Sequence, residues 1–341
     1  MKKDLKSLAL TELAAYLEKL KYPKYHAQQI FSWLYQKEVT NISSMSNLSL
    51  GLRSKLKDGF YISQLNLVKK QVSQDSTRKY LFELEDKNTI ESVLIPHPER
   101  NTTCLSTQAG CKYSCKFCAS GAAGFVRNLN QAEILNQILS IKKDIKDSIN
   151  NIVFMGIGEH LDNYDTLLNS IRIINSKYGF NIGQRKITIS TAGLTDGIKK
   201  LAREGLQIEL SVSLHSAIDS KRSCIIPLNK KYPLDKLSSA LKEFAKLTKR
   251  KITFEYILLG GFNTLPEDAE ALVKFTRGLD CKVNIIPFNP VQDTEFYPPN
   301  KLESLFFKDY LVKHNVDVTV RQPRGQDIEA ACGQLRLHHL N

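Results

Sequence analysis

The 341-residue sequence contains no stretch approaching the roughly 20 apolar residues that a bilayer crossing requires, so a membrane-spanning protein is not expected. It has no internal repeat and no low-complexity tract, which leaves neither a solenoid nor a disordered linker to account for its length. Its opening, MKKDLKSLALTELAAYL, has the basic start of a secretory leader. However, Asp4 and Glu12 interrupt the apolar run, no small-residue cleavage site follows, and the segment reads as an amphipathic helix. The seven cysteines are an odd number and three of them fall within eight residues, which does not fit a secreted disulfide framework. Both facts suit a reducing cytosol, where thiolates bind metal or do chemistry, and a cytoplasmic protein is expected. Acidic residues are also scarce, 35 against 48 Lys and Arg, for a formal net charge of +13. Such an excess favours a polyanionic partner, most often nucleic acid; the plainer use of the same charge is solubility.

With 42% hydrophobic and 24% charged residues, the composition is that of an ordinary globular chain, long enough for about two units. Residues 1–62 read as a helical, basic accessory domain. Leu10, Leu13, Leu17 and Leu20 recur at helical spacing, a second apolar face runs through Ile30, Trp33 and Leu34, and the surface carries Lys21, Lys24, Lys37, Arg53, Lys55 and Lys57. This unit is a candidate for RNA docking, though a packing appendage with a solvated basic face has the same pattern. Residues 63–99 form a linking β-hairpin: the β-rich runs 79–84 and 89–95 flank the turn-like Glu85-Asp86-Lys87-Asn88, with Pro96 and Pro98 ending the second strand.

From residue 100 to the end, strand-like segments (102–108, 151–156, 185–191, 207–214, 251–258, 282–287 and 316–321) alternate with amphipathic helices near 130–146, 164–177, 194–204, 234–248, 265–277 and 301–314. Six successive strand–helix units predict an α/β fold with a parallel sheet, because parallel strands need crossovers. Six units are too few for an eight-fold barrel, so a partial (β/α)6 barrel is expected, with its active site at the carboxyl ends of the strands.

The segment Cys111-Lys112-Tyr113-Ser114-Cys115-Lys116-Phe117-Cys118 follows the first of these strands at that end. Loop thiolates spaced four and three apart suit a soft metal and can wrap a cubane. A structural zinc site needs a fourth ligand, and Cys104 is the nearest candidate. Other residues fall at strand ends: Met155-Gly156-Ile157-Gly158-Glu159, Ser190, Ser213-Leu214-His215 and Asn289. Small residues permit close approach to a ligand, and the Glu159 carboxylate can accept from an ammonium group. Taken singly, each is an ordinary turn or cap residue.

A CxxxCxxC loop after the first strand of six strand–helix units resembles the radical S-adenosylmethionine (SAM) superfamily. That likeness implies a 4Fe–4S cluster held by Cys111, Cys115 and Cys118, with SAM chelating the open iron and Gly158, Glu159, Ser190, Ser213, Leu214, His215 and Asn289 around it. The run from Arg324 to Leu335 (RGQDIEAACGQL), together with Cys104-Leu105-Ser106-Thr107-Gln108, Phe154–Glu159 and Ser213-Leu214-His215-Ser216, resembles the RlmN/Cfr family of adenosine methyltransferases over nearly the whole chain. The resemblance implies two SAM molecules per turnover. Cys332 is methylated and carries the carbon, Cys104 resolves the protein–RNA adduct through a transient disulfide with Cys332, and Glu91 accepts the ring proton. It also implies 23S rRNA and tRNA as substrates, a reductant such as flavodoxin or ferredoxin, and a monomer. Arg324-Gly325 and Ile286-Pro287-Phe288-Asn289-Pro290 look RlmN-like, favouring carbon 2 of adenosine; His160 stands where RlmN-type sequences carry proline. The alternatives are a Cfr-type carbon 8 methyltransferase conferring ribosomal antibiotic resistance, a glycyl-radical activase, and a zinc-stabilised RNA-binding protein without catalysis. Cys224 and Cys281 match no catalytic position and read as small buried fillers; His338 and His339 read as a solvated tail.

Overall fold

A computed structural model of the chain describes residues 2–122, 124–291 and 294–335; His338 and His339 lie outside them. The leucine pattern at the start forms α1 (Leu10–Lys19), which packs with α2 (Tyr25–Tyr35) and α3 (Leu50–Gly59). The last begins at Ser49, whose side chain accepts from the Leu52 N–H. Leu13, Leu17, Ile30, Phe31, Leu34, Leu52 and Leu56 fill the space between them. Trp33 departs from expectation: it sits at the flank of this core, half-buried, and its indole N–H donates to Asn47. Lys21, Lys24, Lys37, Lys55 and Lys57 are exposed, as a basic surface requires; Arg53 is half-buried and donates to the Ser43 carbonyl.

Ten strands form one sheet whose spatial order is the chain order. They are β1 (Asn66–Val72), β2 (Arg78–Glu83), β3 (Thr89–His97), β4 (Arg100–Cys104), β5 (Asn151–Phe154), β6 (Ile187–Thr191), β7 (Glu209–Ser213), β8 (Ile252–Leu258), β9 (Cys281–Pro287) and β10 (Val318–Val320). From β4 to β10 every neighbouring pair is parallel. The helices α4 (Gln131–Ile145), α5 (Tyr164–Asn175), α6 (Thr195–Ala202), α7 (Leu234–Thr248), α8 (Pro266–Thr276) and α9 (Lys301–Lys313) provide the crossovers. The fold is thus an open α/β barrel carrying a seventh parallel strand at one edge. Strand β8 is buried along its whole length, as expected for a central parallel strand covered on both faces.

The 79–95 hairpin is present as β2 and β3, but it is part of the main sheet: β3 also pairs antiparallel with β4, and β1 extends the edge beyond β2. Strand β3 runs through Pro96 to His97 instead of ending before it. The last β2–β3 pair is Arg78 with Leu94, so this stretch of β3 is an edge, where proline is tolerated. The strand expected over 102–108 stops at Cys104. Its remainder leaves the ladder where the Ser106 hydroxyl donates to the Glu91 carbonyl (2.6 Å) and accepts from the Ile157 N–H (2.9 Å). Residues Gln108–Gly110 then pair with Phe125–Asn128 in a separate ribbon. The amino-terminal unit is anchored to α4 by Lys6, whose ammonium donates to the Ser63 carbonyl (3.0 Å) and Asn136 Oδ1 (2.6 Å). Burial lowers this lysine to about 8.

Candidate active site

The cysteine loop leaves the sheet at the carboxyl ends of the parallel strands and is tied down on three sides. Cys111 N–H donates to the Gly124 carbonyl (2.7 Å), Lys116 N–H to Ile225 (3.1 Å) and Ala119 N–H to Gly333 (2.7 Å). Cys111, Cys115 and Cys118 all border one cavity. Among the described residues, no three His, Cys, Asp or Glu side chains converge as ligands of a single ion would. A 4Fe–4S cluster bonds each thiolate to a different iron, so its sulfurs need only surround a common space. Cys104, the fourth ligand that a zinc site would need, borders a different cavity. Burial pushes the Cys111 thiol up to about 12 and raises that of Cys115 well above the ordinary thiol value, so without iron they keep their protons.

The rest of the cavity lining is polar in a few places only. Gly158 has φ +109°, a left-handed conformation, and a Cβ there would meet the Gln108 side chain at 2.6 Å; only glycine lets the strand end turn this closely. The turn aims Glu159 inward. Its carboxylate accepts from the Ala192 N–H (2.7 Å) and the Leu161 N–H (3.2 Å), and burial raises it to about 7. An ammonium ion in the cavity would restore its charge. His215 has φ +55°; its Nδ1 accepts from the Ile257 N–H (3.0 Å), which leaves Nε2 as the donor. Burial lowers this imidazole to about 3, so it is neutral at pH 7 and is a wall and not a base. Its ring meets Phe117 of the cysteine loop edge-on, with centroids 4.6 Å apart. His160 is likewise lowered to about 3 by burial and pairs with the Thr107 hydroxyl (2.8 Å). Ser190 and Ser213 complete the lining.

A second cavity adjoins the first, bordered by Val93, Ile95, Cys104, Asn289, Arg324 and Leu335 among others. Cys332, Arg321, Met155 and Ile286 border both. The loop carrying Cys332 is fastened to the cluster loop by the Ala119–Gly333 bond already noted and by the Ser120 hydroxyl, which donates to the Leu335 carbonyl (2.5 Å). Asp327 anchors the start of the same loop by accepting from the Ser73 hydroxyl (2.5 Å).

A model of the ribosomal RNA large subunit methyltransferase N-terminal domain matches residues 3–62, and one of the radical SAM superfamily matches residues 105–276. The chain is 43% identical over 339 residues to a protein of Clostridium novyi (strain NT) named probable dual-specificity RNA methyltransferase RlmN, covering 99% of each. It is 45% identical over 339 residues to a protein of the same name from Thermotoga maritima, covering 99% of this chain and 98% of the other. The chain belongs to the RlmN family of radical SAM RNA methyltransferases. A crystal structure of a radical SAM methyltransferase from Sphaerobacter thermophilus matches the fold with a TM-score of 0.92 at 39% identity, over 98% of this chain and 99% of that one. The cofactors of this superfamily are a 4Fe–4S cluster and SAM. The three soft thiols around one cavity fit the cluster, and the buried Glu159 carboxylate bordering the same cavity fits the ammonium of SAM.

Of the residues singled out in the RlmN-like sequence, Cys111, Cys115, Cys118, Gly158, Glu159, Ser190, Ser213, His215 and Cys332 border the first cavity, while Cys104 and Asn289 border the second. Asn289 accepts from the Gln326 side chain (2.7 Å), tying the β9 loop to the Cys332 loop. Leu214 is core: its side chain is fully buried and lines neither cavity. Glu91 is no surface glutamate. It is 1% exposed and ion-paired with Lys79 (3.3 Å), on the same face of β3 as Val93 and Ile95 but one step behind the lining. The Lys79 ammonium also donates to the Glu329 carbonyl, three residues before Cys332 (3.2 Å). Cys281 is half-buried against the core, but Cys224 is exposed and fills nothing.

Three side chains that line or brace the first cavity have no place in the sequence reading. Glu255 is a lone carboxylate in the otherwise apolar ITFEYIL strand, a signal that was there to be read. Arg321 closes the 316–321 run, at the carboxyl end of a strand, the criterion that marked Ser190 and Ser213. Arg222 carries no pattern. It is fully buried and donates to the carbonyls of Leu214 (3.0 Å), Ala192 (2.6 Å) and Ser213 (3.1 Å) and to Asn229 Oδ1 (2.6 Å), bracing two strand ends behind the cysteine loop.

Proposed function

We propose that this RNA methyltransferase adds a methyl group to carbon 2 of an adenosine in 23S rRNA, and of an adenosine beside the anticodon in tRNA, with Cys332 as the carrier of the carbon. The observation that carries the reading is the position of Cys332 on the boundary of both cavities, with the cluster thiols on one side and Cys104 on the other. The ring carbon is electrophilic, so a SAM methyl cannot be delivered to it by ordinary displacement. Bound in the first cavity, the cluster and SAM supply an electron and a carbon-centred radical. Cys332 takes the methyl as a thiolate, and its sulfur then links the one-carbon unit to the adenine. Glu91 accepts the ring proton, and the Cys104 thiolate attacks the Cys332 sulfur, forming a disulfide as the carbon is released. The target base has to leave its stack to reach a cavity of this depth. The 48 basic residues fit a polyanionic substrate, and association is expected to weaken as salt rises. No helix among the described residues is long and apolar enough to cross a membrane, and a cytoplasmic monomer served by a small electron carrier completes the reading.

The test is nuclease digestion and mass spectrometry of rRNA and tRNA from cells with and without the gene. The gene-dependent product is expected to be 2-methyladenosine; 8-methyladenosine alone would replace the reading by its carbon 8 alternative.

A further inference from the structure

We propose that Lys79 is a positioning residue for removal of the ring proton: its buried ammonium joins the Glu91 carboxylate to the loop that carries Cys332, so that base and carbon carrier meet one adenine carbon at a fixed spacing. The inference rests on the reading of Cys332 as carrier and of Glu91 as proton acceptor.

Lys79 lies on β2 opposite Val93 of β3, and Leu81 lies opposite Glu91, so Lys79 and Glu91 are diagonal neighbours across the antiparallel pair. On the same face of β3, Val93 and Ile95 line the second cavity. Lys79 is 4% exposed and Glu91 1%. The ammonium stands 3.3 Å from Glu91 Oε1 and donates to the Glu329 carbonyl (3.2 Å). Glu329 has φ +52° and sits in a tight turn in which the Gly325 carbonyl accepts from the Ala330 N–H (2.8 Å). Ala330, Ala331 and Cys332 then continue along the wall of the same cavity. The Glu91 backbone is held separately, its carbonyl accepting from the Ser106 hydroxyl (2.6 Å). With the backbone fixed, the direction of the carboxylate is left to the contacts of its side chain.

Stability does not account for this arrangement. A buried ion pair gains little over an apolar pair of the same size, because desolvating both charges offsets their attraction. Nor does the loop need it for docking. Asp327 accepts from the Ser73 hydroxyl (2.5 Å) and the Gln74 N–H (3.2 Å), and Asp75 accepts from the Gly325 N–H (3.1 Å). What the ammonium adds is a common reference point: one cation touches both the base and the turn three residues before Cys332. In the step itself a proton passes from the ring carbon to a Glu91 oxygen, the C–H electron pair stays with the adenine, and the carboxylate becomes a neutral acid. An ammonium has no lone pair to take that proton, so Lys79 acts through Glu91. Glu91 stands one step behind the cavity lining, and its side-chain direction decides whether an oxygen comes within hydrogen-bond reach of the ring carbon.

Single-turnover reactions of the anaerobically purified holoprotein with SAM, a reductant and a 23S rRNA fragment separate the steps. Mass spectrometry reads methylation of Cys332, formation of the Cys332–adenosine adduct and loss of that adduct as three rates. In Lys79→Met, Cys332 methylation and the KM for RNA are expected to stay within about threefold of wild type, which also reports an intact fold. Loss of the adduct is expected to slow about hundredfold, the effect of a misplaced base. Glu91→Gln is expected to slow it at least as much, by about hundredfold or more. Adding Lys79→Met to Glu91→Gln is expected to change that rate by less than about threefold, because a residue acting through Glu91 has nothing left to position. The double variant buries no unpaired charge, so it decides the matter even where the single variant folds poorly. Adduct loss at the wild-type rate in Lys79→Met, or a further slowing of about tenfold or more in the double variant, overturns the proposal. If Glu91→Gln itself clears the adduct at the wild-type rate, the proton-acceptor reading falls and takes the proposal with it.

Discussion

The two adjoining cavities are built by opposite strategies. The first takes its cysteines from eight consecutive residues, and its other polar groups sit where parallel strands end, so each is marked by local spacing or by position in a strand–helix unit. The second is assembled from β3, β4, the end of β5, the end of β9 and the loop after β10, separated by up to 242 residues from Val93 to Leu335. The sheet order holds β4 and β10 five strands apart, and they share a cavity because the sheet curves into an open barrel. A metal and cofactor site is thus written in short motifs, whereas the site attributed to the substrate is written in topology. Cys332 belongs to both, and under the proposed function the sulfur at that boundary is where cofactor chemistry becomes chemistry on RNA.

The sharpest way to separate the two is to remove one. Cys115→Ala is expected to abolish iron binding and RNA methylation, while unmodified Cys332 still reacts with iodoacetamide; iron retained at wild-type stoichiometry would break the division. Arg222→Met is the next largest effect. It removes a buried donor from the Ala192, Ser213 and Leu214 carbonyls and the Asn229 amide oxygen behind the first cavity, of which the Leu214 carbonyl keeps the Ser216 N–H, and is expected to cost about 3–5 kcal/mol in urea unfolding of the metal-free chain. A loss below about 1 kcal/mol would mean that the brace is dispensable.

Glu159 gives a pH-dependent test of the first cavity. Its carboxyl rises from 4.5 to about 7 on folding, so between those pH values the folded protein holds a proton that the unfolded chain has released, and stability falls as pH increases. Glu159→Gln, which mimics the protonated side chain, is expected to be more stable than the metal-free wild type by about 3 kcal/mol at pH 8 and by less than about 1 kcal/mol at pH 5. An equal difference at both pH values would contradict the burial argument. The smallest effect is expected outside both cavities: Cys224→Ser at an exposed position is expected to change stability by less than about 0.5 kcal/mol and leave iron content untouched.

The same division explains what the sequence reveals. The α/β alternation places six of the seven parallel strands within a few residues, because amphipathic helices and apolar strands have distinct periods. Strand ends are less legible. The end of β4 depends on the Ser106 hydroxyl meeting Glu91 and Ile157, a contact across more than fifty residues. Glu91 itself looks like an ordinary hairpin glutamate until the pairing of β3 with β2 sets it beside Lys79, with both side chains buried. Leu214 was included for its neighbours in Ser213-Leu214-His215, but alternation along the strand turns it into the core. Arg222 had no signal at all, because a buried arginine satisfied by backbone carbonyls reads like any surface arginine in a polar stretch.

The central claim, that Cys332 carries the carbon between the two cavities, is tested most directly by Cys104→Ala in the presence of substrate RNA, SAM and a reductant. With the resolving thiol removed, mass spectrometry of the nuclease- and protease-digested product is expected to find the Cys332 peptide joined to adenosine through a single carbon. Turnover to free methyladenosine with no adduct on Cys332 would contradict the account.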